Sequence, residues 1–360
     1  MATKPTTLMI LNFVMDEEHP VLSHQVGIVN ALGTKFEKVV VVTGSCNPRT
    51  SVGSNIQIFN SRWIEGQNSR NVWRFYRQFL IAVRTSNQIG VVFSHMSVVQ
   101  SILAAPILLR KRIPHILWYA HTAQSLPLRI AHILVQRILT STPGSCPISG
   151  SKVKAIGQGI DSDFFQSSRH VTSSLLRAVH IGRADRSKQI DLMVEQIKEL
   201  RDASNLDISL DLFGSPSNQV ELHWFNQFKM KILPYTTQGW LRIHPSIIRK
   251  DVPRILTSMD VFVHAFHGSL DKTLIEATLS KIPVVTSNQE FLKIFGSWGV
   301  ASDNSIVSQY SVLLTLPTEE LQDEIERRYQ IAVQSHSLAF WIDSIYSELV
   351  DFPRFQRYFR

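Results

Sequence analysis

Residues 268–288, GSLDKTLIEATLSKIPVVTSN, decide how the rest of the chain is read. Gly268 and Ser269 end a tight loop, 272–280 has the pattern of a helix, and 283–286 that of a buried strand. A loop opening onto a helix N-terminus presents backbone N–H groups that the helix itself cannot satisfy, and these suit an anion. One turn inside stands Glu276, among Leu274, Ile275, Ala277 and Leu279. A helix this apolar is expected to be buried, and a carboxylate taken inside needs a partner. The structural alternative is a surface glutamate stabilised by the macrodipole. Amides for a phosphate and a carboxylate for a diol together describe a site for a phosphorylated sugar or a nucleotide.

Outward from this stretch, apolar runs alternate with helical patterns. The first half has strand-like runs at 8–13, 39–43, 56–59, 91–94, 116–119 and, more weakly, near Ile138, with helical patterns at about 21–34, 69–88, 97–110 and 127–137. The second half repeats the plan, with strands at 178–181, 209–213, 241–244, 261–264 and 284–286 and helices near 189–202, 218–230, 251–258, 272–280 and 318–334. Alternation of this kind predicts an α/β protein with mainly parallel sheets covered on both faces. A polar, Ser-rich segment at 157–174 reads as a linker. The expected organisation is two doubly wound domains, 1–165 and 166–336, facing each other across a cleft. An aromatic tail, 337–360, is expected to pack back on the body. Ligands of open α/β sheets bind beyond the carboxyl ends of the strands. One such end carries HIGRADRSK, where Gly182 permits a tight exit and Arg183 and Lys188 flank the turn into a helix. Two cations beside a helix N-terminus make a diphosphate site; solvated surface charges are the plainer reading.

Composition narrows the class. A 44% hydrophobic, 18% charged chain of 360 residues is an ordered globular protein long enough for two domains. Two cysteines, Cys46 and Cys146, make neither a disulfide framework nor a metal motif, which points to a reducing compartment. No signal peptide is evident, and no apolar run reaches the ~18 residues that span a bilayer. The net charge of +8 is uneven: residues 1–165 hold 16 Lys/Arg against 7 Asp/Glu, and 166–360 hold 21 against 22. A basic first half favours anionic partners. In 69–84, SRNVWRFYRQFLIAVR, arginines 70, 74 and 77 share a helical face with interfacial rings nearby, which suits either a membrane surface or a core helix with a solvated face.

The order HIGRADRSK, DLFG and SMDVFVHAFHGSLDKTLIEATLSKIPVVT resembles the donor domain of the retaining GT-B-fold glycosyltransferases of family 4, the glycosyl transferases group 1. LWYAHTAQS and GQGIDSDFF resemble the family's strand-then-His and interdomain segments, so the likeness runs over about 8–335. The resemblance implies two Rossmann-like domains, an acceptor-binding first and a donor-binding second. It implies that Arg183 and Lys188 hold the diphosphate of a nucleotide-sugar, and that Glu276 binds the ribose hydroxyls. Gly182 and the stretch Ser269, Leu270, Asp271 and Lys272 would lie near phosphate and sugar. His121 would stand near the reacting carbon, with Asp271 as a further catalytic residue. The family's first motif glutamate, eight residues before the second, is here Gly268. A Gly-Gly loop often found after the first strand is replaced by MDEEHPVLSHQ, with Asp16, His19, Ser23 and His24 as polar candidates; Asp16 and His19, with His95 at another strand end, are acceptor-side candidates, and a hydrogen-bonded core histidine is the structural alternative for His95 and His121. Asp161-Ser162-Asp163 resembles a metal-binding Asp-X-Asp, but two acids in an interdomain segment make a poor site.

The implied activity is transfer of a hexose, with retention, from a nucleoside-diphosphate-sugar to a hydroxyl of a lipid-linked or cell-surface glycan, with no metal or other cofactor required. The expected setting is cytoplasmic, peripheral on an anionic membrane surface. Two other readings keep the fold: a nucleotide-sugar epimerase, and a non-catalytic subunit of an active homologue, which the glycine at 268 makes credible. A nucleic-acid partner rests on charge alone, since no binding module is present.

Overall fold

A computed structural model of the chain describes residues 7–19, 22–64, 67–86, 88–166, 175–299 and 303–350. It divides into two compact units, one of residues 1–159 with 338–360 and one of residues 160–337.

The first unit is built on a seven-stranded parallel sheet: β1 (Thr7–Met15), β2 (Lys38–Cys46), β3 (Ile56–Asn60), β4 (Ile89–His95), β5 (His115–Trp118), β6 (Arg137–Thr140) and β7 (Val153–Ala155), in the order β3-β2-β1-β4-β5-β6-β7. β1 pairs in parallel with β2 and β4, so it is flanked on both edges and covered on both faces, which its unbroken apolar run requires. Leu8 and Ile10 join one core with Val26, Val29 and Leu32 of the helix His24–Gly33. Met9 and Leu11 join another on the opposite face, with Phe75 and Phe79 of the helix Asn68–Thr85 and with Ala104 and Leu108 of the helix Val98–Arg110.

The second unit carries a five-stranded parallel sheet: β8 (Arg177–Ile181), β9 (Ser209–Phe213), β10 (Leu241–His244), β11 (Val261–His264) and β12 (Val284–Thr286), in the order β10-β9-β8-β11-β12. Successive strands run outward to β10 on one side of β8, and the order then reverses to β11 on the other. The β8/β11 boundary is thus a topological switch point, where loops diverge to opposite faces and leave a crevice at the carboxyl ends.

One expected boundary is corrected. The second unit begins at Ile160, not 166, because Ile160 and Phe165 are buried in its core and Ile160 donates its N–H to the His336 carbonyl (2.9 Å). In the tail, the helix Leu338–Val350 places Trp341, Ile342, Ile345 and Leu349 in the first unit's core beside Leu8, Val39 and Ile116. The tail's Phe352, Phe355, Tyr358 and Phe359 lie outside the described residues, as does 167–174 of the linker. The helices Gln289–Phe295 and Ile306–Thr315 and the three-residue β7 have no counterpart in the sequence reading.

Candidate functional site

The site is assembled in the second unit, at the carboxyl ends of β8 and β11. β8 ends at Ile181, and Gly182 donates its N–H to the Phe213 carbonyl at the end of β9 (3.0 Å). In the neighbouring loop, a Cβ on Gly214 would stand 1.9 Å from the Gly182 carbonyl oxygen, so glycine is what lets the two strand ends close up. Buried Asp185 accepts from the Ser217 N–H (2.9 Å) and pairs with Arg183 (3.1 Å). Arg183 lines a small cleft with Gly182, Phe213, Gly214 and Ile243. The turn Arg186–Lys188 then sends Lys188 inward. Its ammonium pairs with the Asp271 carboxylate and lies 4.1 Å from the centre of the Phe266 ring.

Asp271 is the N-cap of the helix Lys272–Leu279. Its Oδ1 accepts from the Thr273 N–H and hydroxyl, each at 3.2 Å, which satisfies one of the helix's orphan donors. Its Oδ2 faces Lys188 and, at 3.4 Å, Nε2 of His264. Burial pushes the Asp271 carboxyl up, but Lys188 and His264 outweigh it and hold the group well below its ordinary range. Burial lowers His264, against the pull of Asp271, and it lowers His180 to about 3 with help from His264. Asn288 fixes the loop from below, donating to the carbonyls of Phe266 (2.8 Å) and Ser269 (3.2 Å).

Glu276 is buried, and its partner is a residue of the chain: Arg249 Nη1 stands 2.7 Å from Oε1. Arg249 follows β10 and also lies over the rings of Phe164 (5.8 Å) and Phe165 (5.3 Å). The inference that an inner carboxylate requires a ligand therefore needs correction, because the ion pair supplies the partner. A carboxylate has about four acceptor positions, so the Arg249 contact leaves capacity for a diol. Lys272 sits beside this pair; burial and Arg249 draw its pKa down to about 8, against Glu276 and Asp271. Sequence reasoning did not single out Arg249, His264, Asn288 or Phe266. A Cβ at Gly268 would lie 2.0 Å from the tip of the half-buried Phe266 ring, so a glutamate there would require that ring to move.

The structure thus brings Lys188, Asp271, Lys272 and Glu276 around one helix start, with Ser269 and Leu270 buried just before it. Arg183 is held in the adjacent loop by Asp185. The first-unit residues lie at the carboxyl ends of three neighbouring strands. Asp16, after β1, accepts from the Glu18 N–H (3.0 Å) and from Asn47 (3.1 Å). His19 Nδ1 accepts from the Leu22 N–H (3.0 Å). Exposed His121, after β5, has Nδ1 accepting from the Ala123 N–H (2.9 Å). His95, at the end of β4, is buried between the indoles of Trp118 and Trp341, which is a core environment. Asp161 of the Asp-X-Asp is the N-cap of the short helix Ser162–Phe165. Among the described residues no group of three His, Cys, Asp or Glu comes together to hold a metal ion.

No curated protein matches the chain by sequence. In fold it is similar to Anabaena HepE, crystallised with UDP and glucose (TM-score 0.71, 12% identity, 96% of this chain and 99% of that one). It is similarly close to a glycosyltransferase from Rickettsia africae (TM-score 0.69, 13% identity, 96% and 99%). Sucrose-phosphate synthase from Thermosynechococcus elongatus gives a TM-score of 0.73 at 12% identity over 96% and 99%. The segment 176–306, which holds Arg183, Lys188, Asp271 and Glu276, matches the family model described as Glycosyl transferases group 1. The chain therefore has the GT-B fold, and residues 176–306 of its second unit are similar to the glycosyl transferases group 1.

Proposed function

We propose that this protein transfers a hexose, with retained anomeric configuration, from a nucleoside-diphosphate-sugar to a hydroxyl of a lipid-linked or cell-surface glycan. The observation that carries the reading is Lys188 converging with a capped helix start and buried Glu276 at the switch point of the second sheet, in the segment that matches the group 1 model. That HepE was crystallised with UDP and with UDP-glucose supports a nucleotide-sugar, and makes the uridine nucleotide the first to try.

Arg183, Lys188 and the amides at 270–272 take the diphosphate. Lys188 exchanges its bond to Asp271 for one to phosphate, and Arg183 does the same with Asp185. Glu276 keeps Arg249 and accepts from the ribose diol. As the sugar–phosphate bond loosens, these donors stabilise charge on the leaving oxygens, which is where electrostatic preorganisation acts. The departing phosphate oxygen takes the acceptor's proton, so no side-chain base and no metal ion are required. Asp271, released from Lys188, is positioned by its cap bonds to receive a sugar hydroxyl. His121, with Asp16 and His19, serves the acceptor from the first unit. The protein works at the cytoplasmic face of a membrane.

The test is turnover. Arg183→Ala with Lys188→Ala removes two charged contacts worth ~1.5–3 kcal/mol each, so transfer should fall by at least ~100-fold while the fold persists. Undiminished transfer in the double variant would refute the assignment. The Phe266 ring over Gly268 favours one second reading, a donor-binding subunit without turnover of its own. Nucleotide binding without product from any acceptor, and turnover on adding a homologous partner, would establish it. Donor incubated alone should give no epimer.

A further inference from the structure

From residue 66 to residue 160 the sequence holds 11 Lys/Arg and not one Asp or Glu. The fold gathers that imbalance on one surface. The helices Asn68–Thr85, Val98–Arg110 and Leu126–Leu134 lie side by side on the face of the first sheet that carries Met9, Leu11, Val92 and Leu117. The acids of the helix Leu338–Val350 belong to the opposite layer. There Glu348 neutralises Arg137 and Lys154, and Asp343 meets Lys35. Lys152 is spent on the carbonyls of His132, Ile133 and Val135. Eight cations are left on or beside the three helices: arginines 70, 74, 77, 84, 110, 112 and 129, and Lys111. None of them has a carboxylate within ion-pair distance among the described residues.

The same face exposes large apolar side chains. Leu126 (71% exposed), Ile130 and Ile133 (73%) repeat at i, i+4 and i+7, which aligns them along one side of their helix. Trp73 is 62% exposed on the arginine-rich helix, with the Arg77 guanidinium 5.7 Å from its ring. No helix among the described residues is long and apolar enough to cross a membrane. We propose that this three-helix face docks on an anionic phospholipid bilayer, with the cations at the headgroups and Trp73, Leu126 and Ile133 in the interface. Aliphatic ridges between the cations favour a hydrocarbon boundary over nucleic acid, which asks for exposed rings on which bases stack. The inference names the surface for the membrane setting proposed above, and it is independent of turnover.

The experiment is sedimentation of the full chain with phosphatidylglycerol/phosphatidylcholine vesicles and with phosphatidylcholine alone, without donor or acceptor. The protein should bind the anionic vesicles, release in high salt and ignore the neutral ones. Replacing arginines 70, 77, 84 and 129 together by Gln should weaken binding by at least ~100-fold. Leu126→Ser with Ile133→Ser, both at exposed positions and thus compatible with folding, should weaken it by ~10-fold. Absence of vesicle binding, equal binding by both variants, or tighter binding to single-stranded oligonucleotide that the serine pair leaves unchanged, would each overturn the proposal. Vesicle binding without sugar transfer would count against the transferase and leave the docking face standing; transfer without vesicle binding would do the reverse.

Discussion

At the scale of residues, the second unit's site is a set of cations each held by a carboxylate of the same chain: Arg183 by Asp185, Lys188 by Asp271, Arg249 by Glu276. The pairs keep the charges oriented, and under the proposed function a diphosphate would bind by exchanging one anion for another. Arg249 is the sharpest case, because Glu276 is buried and the guanidinium is its one ion-pair partner among the described residues. Arg249→Met should destabilise the protein by about 2–4 kcal/mol, the cost of a buried charge left alone, and raise the Kd for nucleotide. Denaturant titration and calorimetry measure the two effects; a variant as stable as the parent would show that water, not Arg249, satisfies Glu276. The glutamate was legible in the sequence because a lone acid in an apolar helix is conspicuous. Arg249 was not, because it stands in an irregular segment 27 residues earlier and no local pattern links the two.

At the scale of elements, strand-to-loop exits decide where these residues stand. The β8 and β9 ends touch through Gly182 and Gly214, and the bonds that follow, Ala184 to Ser215 and Ser217 to Asp185, orient the turn that carries Arg183 and Lys188. Gly214→Ala pushes a methyl into a backbone carbonyl, which cannot turn aside as a side chain can. It should weaken nucleotide binding at least tenfold and cost about 1–3 kcal/mol of stability; unchanged affinity would mean that the two loops act independently. The strands themselves were readable because parallel strands buried on both faces leave near-continuous apolar runs. β7 was not, at three residues with Lys154 in the middle, nor was the helix Ile306–Thr315, which a polar stretch introduces. The linker reading failed at 160–165 for a related reason: Ile160 and Phe165 are scattered among polar residues, and only the tertiary core shows that they are buried.

At the scale of the whole molecule, both units carry histidines buried as neutral rings. Burial lowers His115 in the first to about 3; in the second it lowers His336 to about 4 and, helped by repulsion from His264, His180 to about 3. Below the ordinary value of 6.5 the unfolded chain takes up protons that these folded rings refuse. Stability therefore falls as pH drops from 6.5 toward 4, by up to ~1.4 kcal/mol per unit for each ring. Acid unfolding should begin above the carboxylate range, and a flat stability profile between pH 6.5 and 4 would contradict these burials. The central claim, that the second unit binds a nucleoside diphosphate through Arg183 and Lys188, is tested most directly by thermal shift with UDP and the other nucleoside diphosphates. At 100 times its Kd the right nucleotide adds ~2.7 kcal/mol of stability. The parent should show that gain with one nucleotide, and Arg183→Ala with Lys188→Ala should lose it while remaining folded. No shift with any nucleotide, or the same shift in the variant, would contradict the account.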